Sequence, residues 1–502
     1  MSRFAPLQQL AELAAATDWA ALCAQPERAA AYSYEAAGLR LDLGREHLNE
    51  SSMAALRALA VEVDWEEARR AQWRGDVVNP SEGRAVLHGA LRSPQRAPAH
   101  IQAEVEAAEA ALHKLLATLE QDCPEHAVLH IGIGGSDLGP RLAADVAGRS
   151  ALRRPLHFLN NLDDATLQET LGQLDPARTL VVVVSKSFGT AETRALQQRC
   201  TDWLHKAGVD PAQALIAVTS KAEAALACGL DPERILPLPE WVGGRTSVWS
   251  TVSFSLALAC GAAAREALRE GAAAMDAHFL DTPLERNLPA LAALCGIWQR
   301  NAQGLSTRIV VPYADRLRLL PEYLQQLEME SNGKRVDLQG RPLDWDTAPV
   351  TFGGVGSCVQ HAFFQLLHQS NSRHPVEFVL PARTVGVPPD LQRTLSSHAL
   401  AQACALTQGR AAVGEDQSRL CPGGRPSTLI GMRQLDLYHL GSLLAFYEHR
   451  TAMQGWIWGL NSYDQFGVEI GKQIAGRVEA AWKGEGEFPD ALSAAAANWL
   501  KA

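Results

Sequence analysis

Apolar residues change their spacing along the chain near position 127. Before it, the first hundred residues are rich in Ala, Leu and Glu, the pattern of a helical layer without evident chemistry. From Ala127 to Gly135 the run AVLHIGIGG is short, β-type and ends in glycines, and the helical pattern SDLGPRLAADVAG follows. LHFLNN (Leu156 to Asn161) is a second strand, with DDATLQETLGQL as its helix. TLVVVVSKS (Thr179 to Ser187) is the strongest strand signal, and its β-branched run predicts burial on both faces. ALIAVTS (Ala214 to Ser220) and RILPLP (Arg234 to Pro239) each follow a further helix. Strands alternating with helices at this spacing predict a parallel, doubly wound α/β sheet.

A weaker second cycle runs through TRIVVPY (Thr307 to Tyr313), APVTFGG (Ala348 to Gly354) and PVEFVLPA (Pro375 to Ala382). The expected organisation is a helical N-terminal layer (1–95) on the larger domain, two α/β domains (96–270 and 271–455) and a helical C-terminal arm (456–502). The boundary between the two α/β domains is soft, near 265 to 285. The longest apolar stretch, Val252 to Ala264, is broken by Ser253 and Ser255. It is too short to span a bilayer and reads as a buried helix.

Composition narrows the functional classes. With 47% hydrophobic and 20% charged residues the chain is an ordinary globular protein. A net charge of -10 argues against broad binding to nucleic acid or an anionic membrane, although a local pocket can still hold a small anion. The nine cysteines, scattered from Cys23 to Cys421 without a CxxC pair, suit reduced thiols in the cytosol. The start, MSRFAPLQQLAELAAATDWAAL, lacks the continuous apolar core of a signal peptide. A cytoplasmic location is expected.

Several segments carry candidate chemistry. In VVVVSKSFGTAET (Val181 to Thr193) a buried strand presents Ser185, Lys186, Ser187 and Thr190 just before a helix. Hydroxyls, a cation and free helix N–H groups are what a phosphate dianion requires. A plain helix cap explains one or two of the hydroxyls, but not three around a glycine. HIGIGGSDLGP (His130 to Pro140) is either a tight turn or a second ligand contact. In WVGGRTSVWS, Arg245 follows two glycines, placed either to stabilise charge on a substrate oxygen or to form a surface salt bridge. QQLEMESNGKRV (Gln325 to Val336) reads as a helix ending at Asn332–Gly333. Glu328 and Glu330 near that end face an unfavourable helix dipole, which suits a carboxylate that accepts a proton, while a solvated acidic face is the plainer reading.

FGGVGSCVQHAFFQLLHQ (Phe352 to Gln369) is a small-residue loop entering an amphipathic helix, with His361, Gln365 and His368 on one face. His361 near its first turn is where a neutral acid/base imidazole is favoured. No HExxH pattern or third ligand supports a metal site. In DQFGVEIGKQIAG (Asp464 to Gly476), Gln465 and Lys472 are seven apart, two turns along one helical face.

Together these segments resemble the glucose-6-phosphate isomerase (phosphoglucose isomerase) family. The resemblance is carried by GIGGSDLGP at 132–140, SKSFGTAET at 185–193, GGRTSVWS at 243–250, MESNGK at 329–334, QHAFFQLLHQ at 360–369 and DQFGVEIGK at 464–472, in the family's order. MESNGK and GVEIGK are the most specific. The resemblance implies two α/β/α sugar-isomerase (SIS-type) domains, a homodimer, and reversible interconversion of glucose 6-phosphate and fructose 6-phosphate in glycolysis and gluconeogenesis. It implies no cofactor and no metal. By the same resemblance Ser185, Lys186, Ser187 and Thr190 bind the 6-phosphate, and Gly135 and Ser136 line the sugar site. Glu330 matches the base that moves a proton between C2 and C1 through a cis-enediol, and Arg245 the residue that stabilises the charged intermediate. His361, reaching over from the neighbouring subunit, and Lys472 match the ring-opening pair. Gln326 and Gln465 match substrate-contacting glutamines.

The sequence departs from the family pattern in three places. SKSFGT stands where SKTFTT is common, so Gly189 lacks a hydroxyl. Thr246 replaces a common aromatic, and GSCVQH replaces GTNGQH, putting Cys358 and Val359 before His361. A non-catalytic sugar-phosphate sensor would keep the Ser185–Thr190 cradle but would not need Glu330, His361 and Lys472. A nucleotide enzyme would need a GxGxxG or GxxxxGK[ST] loop, and neither is present. Activity on mannose 6-phosphate as well stays open.

Overall fold

The computed structural model describes residues 4–15 and 18–500. The outermost residues of the expected N-terminal layer and C-terminal arm lie outside that range. The chain falls into two compact units, 1–462 and 463–502.

Among the described residues the first unit holds eleven strands. In chain order they are β1 (Ser33–Ala36), β2 (Leu39–Arg45), β3 (Ala127–Ile131), β4 (Leu156–Leu159), β5 (Thr179–Val184), β6 (Leu215–Thr219), β7 (Ile235–Pro237), β8 (Thr307–Pro312), β9 (Val350–Gly353), β10 (Val376–Pro381) and β11 (Ser427–Met432). A five-stranded sheet has the order β4-β3-β5-β6-β7 and is parallel throughout. Successive side chains on a strand point to opposite faces. In β5, Leu180, Val182 and Val184 therefore join one apolar cluster. Val181 and Val183 join another, with Leu167, Leu196, Cys200 and Leu204 from the flanking helices. Burial on both faces explains why this strand reads as an unbroken apolar run.

The second sheet has the order β1-β2-β11-β10-β8-β9. Its β11-β10-β8-β9 part is parallel, and the β1-β2 hairpin is added antiparallel against β11. This hairpin corrects the expectation of a purely helical first layer. Leu39, Leu41 and Leu43 are buried and alternate with the less buried Arg40 and Asp42. β11, too, is absent from the sequence-based reading. A continuous helix, Ala262–Asp281, runs through the expected domain boundary, and the apolar stretch before it forms the fully buried helix Phe254–Cys260.

Helix Leu437–Trp458 is buried along nearly its whole length and packs closely on Ala262–Asp281. Two glycines permit the approach. A Cβ on Gly271 would lie 1.7 Å from the Tyr438 carbonyl oxygen, and one on Gly441 would lie 1.8 Å from that of Leu268. All nine cysteines are free thiols. Among the described residues no helix is long and apolar enough to cross a membrane.

The second unit contains helices Glu469–Lys483 and Ala491–Leu500. Gln465 lies before the first of them, ahead of a short turn at Phe466–Val468, whereas Lys472 is exposed within its first turn. The two are therefore not on one helical face, as their spacing suggested.

Candidate active site

Ligand sites in open parallel sheets lie beyond the C-terminal strand ends, where neighbouring connections leave in opposite directions. In the five-stranded sheet that point falls between β3 and β5. The loops leaving these strands are Gly132–Asp137 and Ser185–Thr190.

The first loop is tightly packed from below and from the side. His130 is buried, with Nε2 2.7 Å from the Ser136 carbonyl oxygen and Nδ1 2.8 Å from Ser255 Oγ. Burial pushes its imidazole down to about 4. The neutral ring thus donates Nε2–H to Ser136 and accepts from Ser255. Asp137, also buried, accepts from Asn160 at 3.0 Å and pairs with Arg141 at 2.9 Å.

Gly135 faces the turn that carries Arg245. A Cβ at 135 would lie 1.9 Å from the Gly244 carbonyl oxygen, so only glycine permits this approach. Ser247 Oγ closes the contact by donating to the Gly135 carbonyl at 3.2 Å. Gln326 Nε2 would stand 3.0 Å from a Cβ on Gly134, which places its amide over the same loop.

Arg245 is only 6% exposed, which removes the surface-salt-bridge reading. Its Nε donates to Ser331 Oγ at 2.7 Å and its Nη2 to the Ser462 carbonyl at 2.8 Å. Nη1 lies 3.2 Å from Glu330 Oε2. Glu330 closes the π-helical turn Gln325–Glu330, a wide turn that often marks functional sites. Four residues after Arg245 in the chain, Trp249 donates to Glu448 at 2.7 Å. Arg92 bonds the same carboxylate and grips Asp276 through two 2.7 Å bonds.

The two carboxylates near the end of this turn separate into different environments. Glu328 is 2% exposed, accepts from Thr351 at 2.8 Å, and pairs with Arg308 at 2.9 Å and with Arg450. Burial alone would push its carboxyl up, but the two guanidinium groups hold it below the usual value. Glu328 therefore anchors the core, and neither Glu328 nor Glu330 lies on a solvated acidic face.

The second loop has the makings of an anion cradle. Ser185 Oγ is buried and unpartnered among the described residues, and Thr190 starts helix Ala191–Lys206 without a side-chain cap bond. Ser187 Oγ accepts from the Gly189 N–H at 3.2 Å. Phe188 adopts φ +49 with its ring in the apolar cluster, a strained backbone of the kind found at functional loops. The Lys186 carbonyl is pinned by Thr219 Oγ1 at 3.0 Å and Ser220 Oγ at 2.8 Å. Its ammonium donates to the carbonyls of Glu240 and Val242 at 2.8 and 2.7 Å. Burial, with Arg84 nearby, pushes Lys186 down to about 8. Because Val242 precedes the Gly243–Arg245 turn, this lysine ties the cradle to the Arg245 site.

Gly135, Ser136, Arg245, Gln326 and Glu330 are thus brought together, and the Ser185–Thr190 loop is tied to them. Among the described residues, no hydrogen bond or ion pair joins His361 to this group. The expected single helix there is broken into Gly356–Val359 and Phe364–Gln369, and His361 sits exposed in the turn between. Its expected face-mates turn to other partners. Gln365 bonds Gln369, and His368 lies 2.9 Å from Gln402 Oε1. Gln465 and Lys472 belong to the second unit. His130, Ser331, Asn332 and Ser462 were given no role in the sequence reading. Ser331 and Asn332 stand inside MESNGK, a signal that could have found them.

The sequence model of the phosphoglucose isomerase family matches residues 42–495. A glucose-6-phosphate isomerase of Stenotrophomonas maltophilia is 44% identical over 468 residues, covering 92% of each chain. One from Aromatoleum aromaticum is 42% identical over 497 residues, covering 93% of this chain and 90% of the relative. Among solved structures, a glucose-6-phosphate isomerase from Chlamydia trachomatis superposes with a TM-score of 0.90 at 32% identity, covering 99% of both chains. With that match spanning the cradle, the Arg245–Glu330 pair and the second unit, the chain belongs to the phosphoglucose isomerase family.

Proposed function

We propose that the protein interconverts glucose 6-phosphate and fructose 6-phosphate by proton transfer through a cis-enediol, with Glu330 as the base. The observation that carries the mechanism is the 3.2 Å approach of Arg245 Nη1 to Glu330 Oε2, beside a loop with a free buried hydroxyl. A proton α to a carbonyl is weakly acidic, so its removal needs a positioned base and a stabilised oxygen. Glu330 takes the C2 proton of the open-chain aldose, and the C–H electron pair becomes the C1–C2 double bond. Arg245 faces the oxygen on which charge develops. The C1 carbonyl pair moves onto O1, a proton passes from the C2 hydroxyl to O1, and return of the carbon-borne proton to C1 leaves the carbonyl at C2 and gives the ketose. The Ser185, Lys186, Ser187 and Thr190 loop holds the phosphate, whose binding energy positions the reacting carbons. Gly135, Ser136, Gln326 and Gln465 line the sugar.

The working form is a cytoplasmic homodimer in which His361 of a second copy, with Lys472, opens the sugar ring. The exposure of His361 supports this, as do the exposed Phe466, Ile470 and Ile474 spaced four apart. Two sugar-isomerase domains, 96–270 and 271–455, would form the body. A coupled assay tests the reading: fructose 6-phosphate is supplied after chelation, and glucose 6-phosphate is read out by its dehydrogenase. Turnover is expected without added metal, and Glu330→Gln should lower it by roughly 10²-fold or more while substrate still binds. Near-normal turnover of that variant would remove Glu330 from its role.

A further inference from the structure

We propose that Ser331 is a positioning residue for Arg245, aiming the guanidinium so that its Nη edge serves the reacting oxygen. The inference rests on Arg245 acting in the reaction as described above.

A guanidinium is a rigid plane with five donors in fixed directions, so holding two of its nitrogens fixes the third. Here Nε is held by Ser331 Oγ at 2.7 Å and Nη2 by the Ser462 carbonyl at 2.8 Å, leaving Nη1 beside Glu330. Both anchors are buried, Ser331 at 4% and Ser462 at 3% exposure. The Ser462 anchor is itself held. Ser462 Oγ donates to Asn332 Oδ1 at 2.6 Å, and Asn332 Nδ2 donates to the Thr451 carbonyl at 2.8 Å. Gly455 leaves room for this bond, because a Cβ there would lie 1.9 Å from Ser462 Oγ.

Three consecutive residues of MESNGK therefore converge on one side chain. Glu330 is its neighbour, Ser331 its direct anchor, and Asn332 its indirect anchor through Ser462. Removing the Ser331 hydroxyl leaves a buried Nε–H without that acceptor and frees the fork to tilt. Misplacement on the ångström scale costs on the order of tenfold to a hundredfold in rate.

The test is a double-mutant cycle of Ser331→Ala and Arg245→Lys in the coupled assay, with thermal midpoints for every variant. Lysine has no Nε–H group in a guanidinium fork, so it cannot use the Ser331 anchor. Ser331→Ala is expected to lower kcat by about tenfold or more, with KM changed less than about twofold, because the loss falls on the transition state. In the Arg245→Lys background the same change should cost nothing further. Full multiplication of the two losses, or an unchanged kcat for Ser331→Ala beside a disabled Arg245→Lys, would overturn the positioning role alone. An Arg245→Lys enzyme of normal kcat would overturn the role of Arg245 and this inference with it. If the alanine variant does not fold, Ser331→Cys replaces it, with a similar shape but a weak acceptor.

Discussion

Glu328 and Glu330 stand two residues apart, and exchanging the former for its neutral isostere should destabilise the fold rather than stop the chemistry. Glu328→Gln keeps the side chain's volume and can still accept from Thr351. It removes the charge that compensates Arg308, 2.9 Å away, and that Arg450 shares with Glu377. All of these groups are buried. Removing one partner from a buried pair costs about 3–5 kcal/mol, and the retained Glu377–Arg450 pair places this case at the lower end. A unit of 462 residues, at about 2.1 cal/mol/K per residue, has an unfolding entropy of about 1 kcal/mol/K. The thermal midpoint should therefore fall by about 3 °C. Scanning fluorimetry alongside the coupled assay separates the two glutamates. Glu328→Gln should lower the midpoint while keeping kcat within a few fold. Glu330→Gln should do the reverse. An unshifted midpoint for Glu328→Gln, or a kcat loss as large as that of Glu330→Gln, would refute the division of labour.

Gly135→Ala places a methyl 1.9 Å from the Gly244 carbonyl oxygen, so the loop must leave the Arg245 turn; kcat/KM should drop by roughly a hundredfold, and a near-normal value would contradict the close packing. His130 and His47 are held by burial at about 4 and about 3 when folded, against about 6.5 unfolded. The unfolded chain binds more protons below pH 6.5, so the stability these groups contribute is complete above that pH and is lost as pH falls towards 4. Thermal midpoints should decline from about pH 6.5 downwards, and a flat profile to pH 5 would contradict this. Mixing inactive His361→Ala and Glu330→Gln subunits, unfolded and refolded together, should restore about a quarter of the parent activity, because half the dimers are mixed and each has one intact site. No restoration would place His361 in its own subunit's site.

How far the sequence reveals this depends on where each signal resides. β5 is legible because both its faces are buried, which forces a run of β-branched residues. β2 carries an alternating pattern in LRLDL, but the helix-rich composition around it hides the hairpin. β11 contains Gly431 and follows CPGGRP, so its short apolar run reads as loop. Within the site, the cradle and Glu330 are local motifs and can be read in sequence. The break at His361 leaves no such local mark, although Gly356, which opens the first helical piece, packs against the Tyr313 ring. The Ser331–Arg245 bond joins residues 86 apart and the Asn332–Ser462 bond residues 130 apart. Neither leaves a trace in local spacing, even though Ser331 and Asn332 are ordinary members of a visible segment.

Proton transfer by Glu330 is tested most directly by converting fructose 6-phosphate in deuterium oxide and following label at C2 of glucose 6-phosphate by NMR. A carboxylate that carries the proton between carbons exchanges part of it with solvent, so deuterium should appear at C2. It should disappear in step with turnover in Glu330→Gln. Full-rate conversion without any deuterium at C2 would mean that hydrogen passes directly between the carbons, and would contradict the enediol route and the role given to Glu330.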